Sequence, residues 1–170
     1  MAESSVNFKI LPMTSDHIAA VTAIEKSVFP DPWSAESFFE AMSFSDKCWV
    51  VRSKKNLIGY LMTQWVMDEI HILNIAVAPE IQRKGIGNLL LEYLVNQGYL
   101  NGMKEIFLEV RVSNKSAQAL YARFGFSVLT TRKKYYRDGE DAFIMHCLIP
   151  DDASLTGKIS REGESSDILR

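Results

Sequence analysis

The run Pro79-Glu80-Ile81-Gln82-Arg83-Lys84-Gly85-Ile86-Gly87 has residue types suited to holding phosphate. An apolar strand ends at Pro79, two cations and two glycines follow, and a helix begins. A helix N-terminus offers unpaired N–H groups and the positive end of a dipole. Gly85 and Gly87 let a backbone approach a ligand closely, and Arg83 and Lys84 add formal charge. A short G-x-G can equally be a helix start with two solvated cations. The run does not fit the P-loop pattern, and Leu90 stands where G-x-G-x-x-G needs its third glycine.

Two further residues could move protons. In Ile106-Phe107-Leu108-Glu109-Val110-Arg111, Glu109 points opposite to Ile106, Leu108 and Val110. Local pattern alone makes it a charge on a solvated sheet face. Tyr121 lies seven residues after Asn114, a good helix cap. Two helical turns take about 7.2 residues, so both occupy nearly one face. Taken alone, Tyr121 reads equally as an aromatic packed on a sheet. Cys48 and Cys147 are too few for a disulfide framework or metal cluster and lack CxxC spacing. They read as buried thiols, and no metal is expected.

The elements that must position these residues follow from periodicity. Residues 6–12 alternate as a strand, and Thr14 caps a helix carrying Ile18, Val21, Ile24 and Val28. Phe29-Pro30-Asp31-Pro32-Trp33-Ser34 breaks it, and Ser34 caps a second helix with Phe38, Phe39 and Met42. Strands are expected at 48–51, 57–67 and 70–77, a helix at 85–99, a strand at 104–111 and a helix at 115–124. Strands 126–136 and 142–149 are expected to join across Asp138-Gly139, a hairpin signal. The order β-α-α-β-β-β-α-β-α-β-β predicts an α+β sandwich, a mixed sheet between helices. One domain is expected over residues 1–150, with 151–170 a disordered tail rich in Ser, Gly and charge.

At 170 residues the chain suits one domain, and 47% apolar with 24% charged residues matches a globular protein. Residues 151–170 hold five acids and three bases, which leaves sixteen of each in residues 1–150. A neutral body does not suit bulk attraction to nucleic acid. No signal peptide and no apolar run of about 20 residues is visible, so a cytoplasmic protein with no membrane partner is expected.

Gln82-Arg83-Lys84-Gly85-Ile86-Gly87 resembles the Q/R-x-x-G-x-G/A motif of the GNAT family of N-acetyltransferases, and the element order is similar to that family's. The resemblance implies that this turn holds the pyrophosphate of acetyl-coenzyme A. It also implies that Ile75, Ala76 and Val77 offer a splayed strand edge to pantetheine, the backbone of Ile75 and Val77 meeting its amides, and that Ile86 and Asn114 contact the cofactor. Leu108-Glu109-Val110-Arg111-Val112-Ser113-Asn114 resembles the LEVRxSN segment of the RimI-like group, bacterial ribosomal-protein-alanine N-acetyltransferases. That likeness makes Glu109 the general base. Ala119-Leu120-Tyr121 with Gly125-Phe126 is similar to the A-x-x-L-Y-x-x-x-G-F signature, which makes Tyr121 the acid that protonates the coenzyme A sulfur.

Phe29-Pro30-Asp31-Pro32-Trp33-Ser34 resembles the group's FPxPWS loop, and Arg132 to Tyr136 with Asp141-Ala142 and Met145 its R-x-x-YY…DA…M end. These imply a peptide entrance built by Phe29, Pro32, Trp33, Tyr136 and Asp141. Because neighbouring strand residues face opposite ways, only one of Tyr135 and Tyr136 is expected to touch substrate. The implied function is acetyl transfer to the α-amine of an N-terminal alanine, on a small-subunit ribosomal protein. Other readings are a GNAT enzyme for lysine, polyamines or other small amines, and a non-catalytic acyl-coenzyme A module.

Overall fold

A computed structural model describes residues 7–45 and 47–151. The expected strand residue Val6 and, apart from Asp151, the expected tail over 151–170 lie outside the described residues. Among the described residues seven strands form one sheet in the order β1-β2-β3-β4-β5-β7-β6. They are β1 (Phe8–Pro12), β2 (Cys48–Ser53), β3 (Asn56–Val66), β4 (Glu69–Val77), β5 (Glu105–Arg111), β6 (Ser127–Arg132) and β7 (Ala142–Leu148). Four helices accompany them: α1 (Ile18–Val28), α2 (Ala35–Phe44), α3 (Ile86–Leu100) and α4 (Lys115–Arg123). All pairings are antiparallel except β4 with β5. That parallel pair needs a crossover, which α3 supplies.

Apolar residues cover both sheet faces. On one side Leu90, Leu91 and Leu94 of α3 pack with Ile70, Ile72, Ile106, Leu108 and Tyr121. On the other, Val21 and Ile24 of α1 and Phe38 of α2 pack with Val50, Tyr60, Met62 and Ala76. Each Val, Leu, Ile, Phe or Met among them contributes roughly 1.5–3 kcal/mol when fully buried.

Caps follow the sequence. The Ser34 hydroxyl accepts from the Ser37 N–H at 3.2 Å, and the Asn114 side chain accepts from the Ala117 N–H at 3.1 Å. After Thr14 the chain first makes a 3-10 turn, Ser15–His17, and α1 starts at Ile18.

Two strand details shape the site. Ile72 pairs with Leu108, the last rung between β4 and β5, and beyond it the two strands part. Against β3, Met62 pairs with Asn74 while Thr63 pairs with Ile72, so Leu73 is an extra, bulged residue. Side chains therefore swap faces along β4. Ile70 and Ile72 belong to the core under α3, as do Ile75 and Val77, whereas Ala76 joins the core under α1 and α2.

The C-terminal hairpin differs from expectation. β6 ends at Arg132, and residues 133–141 form a loop, so Tyr135 and Tyr136 are not strand residues. Asp138-Gly139 lies within that loop, with Gly139 at φ +85°. Ion pairs distant in sequence, described below, hold the loop off the sheet.

Candidate active site

A single groove runs from the end of β4, past the N-terminus of α3, to α4 and the loops 29–34 and 133–141. At about 1410 Å³ it exceeds the roughly 300–1,000 Å³ typical of a pocket for one small ligand. It has room for two reactants.

One end is the turn before α3. Arg83 and Gly85 both take left-handed backbone, at φ +63° and +84°. A side-chain-bearing residue rarely adopts this conformation, and such strain gathers at functional turns. Successive N–H groups of a turn that mixes left- and right-handed residues form an anion-binding concavity. Nothing lies within 4 Å of a Cβ built on Gly85, so the space above the turn is open. Gly87 has a different use: a Cβ there would lie 2.9 Å from Leu120 Cδ2, so glycine permits close packing of α3 on α4. Gln82 donates through Nε2 to the Val77 carbonyl at 3.0 Å, tying the turn to the end of β4.

In the middle, β4 beyond Ile72 faces the groove with its edge unpaired by β5. Glu109 is the first β5 residue past the last rung and pairs with Ile144 of β7. Its carboxylate lies 3.7 Å from Arg132 Nη1 and stays partly exposed. Tyr121 is buried and lines the groove. Burial, then the neighbouring Tyr136, raises its pKa above the ordinary phenol value, so the proton is firmly held.

The far end is walled by the two loops. Phe29, Pro32 and Trp33 line the groove, as do both Tyr135 and Tyr136, whose rings meet edge-on at 5.1 Å. The Arg111 guanidinium lies 3.9 Å from the Tyr136 ring centre and donates through Nη1 to Asp138 Oδ2 and Glu140 Oε2, each at 2.8 Å. Burial pushes the Tyr136 phenol up to about 12, against the opposing pull of Arg111. Arg137 Nε and Asp31 Oδ2, 3.7 Å apart, link the two loops.

The acetyltransferase (GNAT) family profile matches residues 18–126. The chain belongs to this family. It is 35% identical over 136 residues to the Salmonella typhimurium [ribosomal protein bS18]-alanine N-acetyltransferase, covering 78% of this chain and 92% of that protein. The crystal structure of the Escherichia coli ribosomal-protein-S18-alanine N-acetyltransferase superposes with a TM-score of 0.78 at 34% identity, covering 84% of this chain and 94% of that one. The Arabidopsis thaliana NAA60 structure in complex with acetyl-CoA shares the fold, with a TM-score of 0.75 at 18% identity, covering 84% and 100%.

In this GNAT acetyltransferase the groove gathers most residues singled out from sequence: Phe29, Pro32, Trp33, Ile75, Ala76, Val77, Gln82, Arg83, Gly85, Ile86, Gly87, Glu109, Asn114, Tyr121 and Tyr136. Two stand apart. Lys84 is exposed and does not line the groove. Asp141 also faces away: its oxygens accept from Lys133 Nζ and the Lys134 N–H, each at 2.8 Å, and so fix the loop. Its neighbour Glu140 lines the groove instead, accepting from the Ser113 N–H at 2.8 Å as well as from Arg111. Both tyrosines reach the groove because they leave the strand, where alternation would have separated them.

Three basic residues near the entrance are matched by acids. Arg132 lies beside Glu109, Lys133 beside Asp141, and Arg137 beside Asp31. Cys147 is buried, and burial, with Glu105 nearby, pushes its thiol up to about 12, far from a thiolate nucleophile. Among the described residues no group of three or more His, Cys, Asp or Glu could hold a metal, and no helix is long and apolar enough to cross a membrane.

Sequence reading missed Glu25, Asn74, Arg111 and Glu140, which all line the groove.

Proposed function

We propose that this chain transfers the acetyl group of acetyl-coenzyme A to the α-amine of an N-terminal alanine, with a small-subunit ribosomal protein as the acceptor. The observation that carries the reading is the parting of β4 and β5 at the Ile72–Leu108 rung, with Glu109 immediately beyond it. The opened edge of Asn74 to Val77 offers backbone groups to an extended ligand, as an added strand does. The turn at Arg83–Gly87 suits a pyrophosphate. The likeness to ribosomal-protein-alanine N-acetyltransferases supports the choice of acceptor.

An amine attacks only when neutral. An α-amine has a pKa of about 7.7–8.0 and a lysine side chain about 10.4, so the α-amine needs less help near neutrality. Its nitrogen bonds to the thioester carbonyl carbon to give a tetrahedral intermediate, and collapse of that intermediate breaks the C–S bond. Glu109 takes the proton the amine loses, directly or through one water, and Tyr121 gives its phenolic proton to the departing sulfur. Proton exchange with solvent then restores both side chains. Burial keeps Tyr121 protonated in the resting site, and the charge developing on the departing sulfur is what draws its proton. Asn114 caps α4 and so orients the helix that carries Tyr121. Phe29, Pro32, Trp33, Tyr135 and Tyr136 wall the acceptor side.

The test uses labelled acetyl-coenzyme A with an Ala-starting basic peptide, its N-blocked form containing lysine, and spermidine. Transfer to the free-amine peptide is expected. Transfer only to the blocked peptide or spermidine would replace this reading with a lysine or polyamine enzyme. Binding without transfer would point to an acyl-coenzyme A module.

A further inference from the structure

Glu25 is only 1% exposed, yet it lines the groove from α1. Its carboxylate meets three neutral donors from three different elements. Oε1 accepts from the Trp33 N–H at 2.9 Å, and Oε2 accepts from the Tyr60 hydroxyl and from Asn74 Nδ2 at 3.1 Å. The Tyr60 hydroxyl also lies 3.3 Å from Asn74 Oδ1, which closes the network. Tyr60 is itself fully buried and packs edge-on against Phe38.

A buried carboxylate without a cation is costly to desolvate, and its hydrogen bonds must offset that cost. An apolar side chain here would pack α1 against the sheet more cheaply. Asn74 adds a second local irregularity, because only the bulge at Leu73 turns it to this side of the sheet. The two irregularities meet where the loop 29–34 approaches the free edge of β4.

We propose that Glu25 is a positioning residue that fixes the acceptor wall, through the Trp33 backbone, against the splayed edge of β4, through Asn74. The inference rests on reading this groove as the acetyl-transfer site. Pro30 and Pro32 stiffen the loop but cannot donate backbone hydrogen bonds, so the Trp33 N–H is its fastening point. β4 remains held by β3 along Gly59 to Val66 even without Glu25. The loop's other ties, the exposed Arg137–Asp31 pair at 3.7 Å and the Trp33 ring on Phe38, hold it less firmly than a strand pairing holds β4, so loss of Glu25 falls mainly on acceptor binding.

The experiment measures both Michaelis constants and the melting temperature for Glu25→Gln and Glu25→Ala. Glutamine offers one acceptor oxygen where the carboxylate offers two, so either the Trp33 N–H or the Tyr60 and Asn74 donors lose their acceptor, and the link is broken at one end. The acceptor KM should rise about fivefold in Glu25→Gln and about tenfold or more in Glu25→Ala, while the acetyl-coenzyme A KM stays within about twofold. An unchanged acceptor KM in folded Glu25→Gln, or an equal rise in both constants, would overturn the proposal. If Glu25→Ala does not fold, Glu25→Gln decides alone. The acceptor is whichever of the three amines wild type turns over, so a wrong acceptor assignment leaves this test intact. If none is turned over, hydrogen exchange at the Trp33 amide decides. Faster exchange in Glu25→Gln or Glu25→Ala, confined to residues 29–34, supports the role, and unchanged protection overturns it.

Discussion

Ile72 and Leu108 form the last rung between β4 and β5, and one residue further on Glu109 has only β7 beside it. The carboxylate therefore stands where the sheet opens. Glu109→Gln should lower kcat about 100-fold, within the usual span for a general base. The loss should be greatest below the pKa of the amine, where more of the acceptor is protonated. A pH–rate profile from 6 to 10 checks this, and unchanged kinetics across that range would remove Glu109 from the mechanism.

Tyr121 supplies a second test. Its phenol titrates above the ordinary value of about 10, because burial disfavours the anion. Wild-type kcat should therefore show no alkaline limb from this group between pH 8 and about 10. Tyr121→Phe should lower kcat about tenfold to 100-fold with little change in the acceptor KM. A rate equal to wild type would exclude the phenol as a required acid.

Arg111 is half of the device that shapes the far wall. It stacks on Tyr136 and holds Asp138 and Glu140. Arg111→Leu should free the loop 133–141 and raise the acceptor KM about tenfold. Proteolysis should then cut the variant within 133–141 faster than wild type. Equal cleavage would mean that the loop is held by other contacts.

The same loop has a pH sign. Hydrogen bonds from Ser113 and then Arg111 hold the Glu140 carboxyl below its usual range, and those from Lys133 and Lys134 do the same for Asp141. A depressed folded pKa contributes stability above the unfolded value, near 4, that is lost as pH falls through the folded one. Amide exchange in 133–141 should therefore accelerate, relative to the sheet, as pH drops below about 4. Uniform protection across that range would contradict the assignment.

Gly98 tests the core without touching the groove. A Cβ there would lie 2.6 Å from Ile149 Cδ1 and 3.0 Å from Ile70 Cδ1. Gly98→Ala should destabilise the fold by about 1–2 kcal/mol through overpacking, seen as a lower melting temperature. Turnover at low temperature should remain at the wild-type level.

Much of this was legible in the sequence because the signals are local. Strand alternation put Glu109 opposite the core, and Ser34 and Asn114 cap the helices expected of them. Tyr135 and Tyr136 were misread as strand residues because the contacts that pull them off the sheet come from Arg111, far back in the chain. Glu25 did leave a trace: it lies four residues from Val21 and three from Val28, a charge within the apolar stripe of α1. The β4 bulge left one too. Apolar residues change parity from Ile70 and Ile72 to Ile75 and Val77, which a regular strand would not do. Lys84 and Asp141 carry the right chemistry in the right segment, but neither lines the groove, and Asp141 is taken up by Lys133 and the Lys134 N–H.

The proposed acceptor is an α-amine. The most direct measurement gives wild-type protein one basic peptide that bears both a free N-terminal alanine and an internal lysine, then locates the acetyl group by fragment mass spectrometry. Acetyl is expected on the N-terminal nitrogen, with the lysine unmodified near pH 7. Acetyl on the lysine side chain, with the terminus left free, would contradict it.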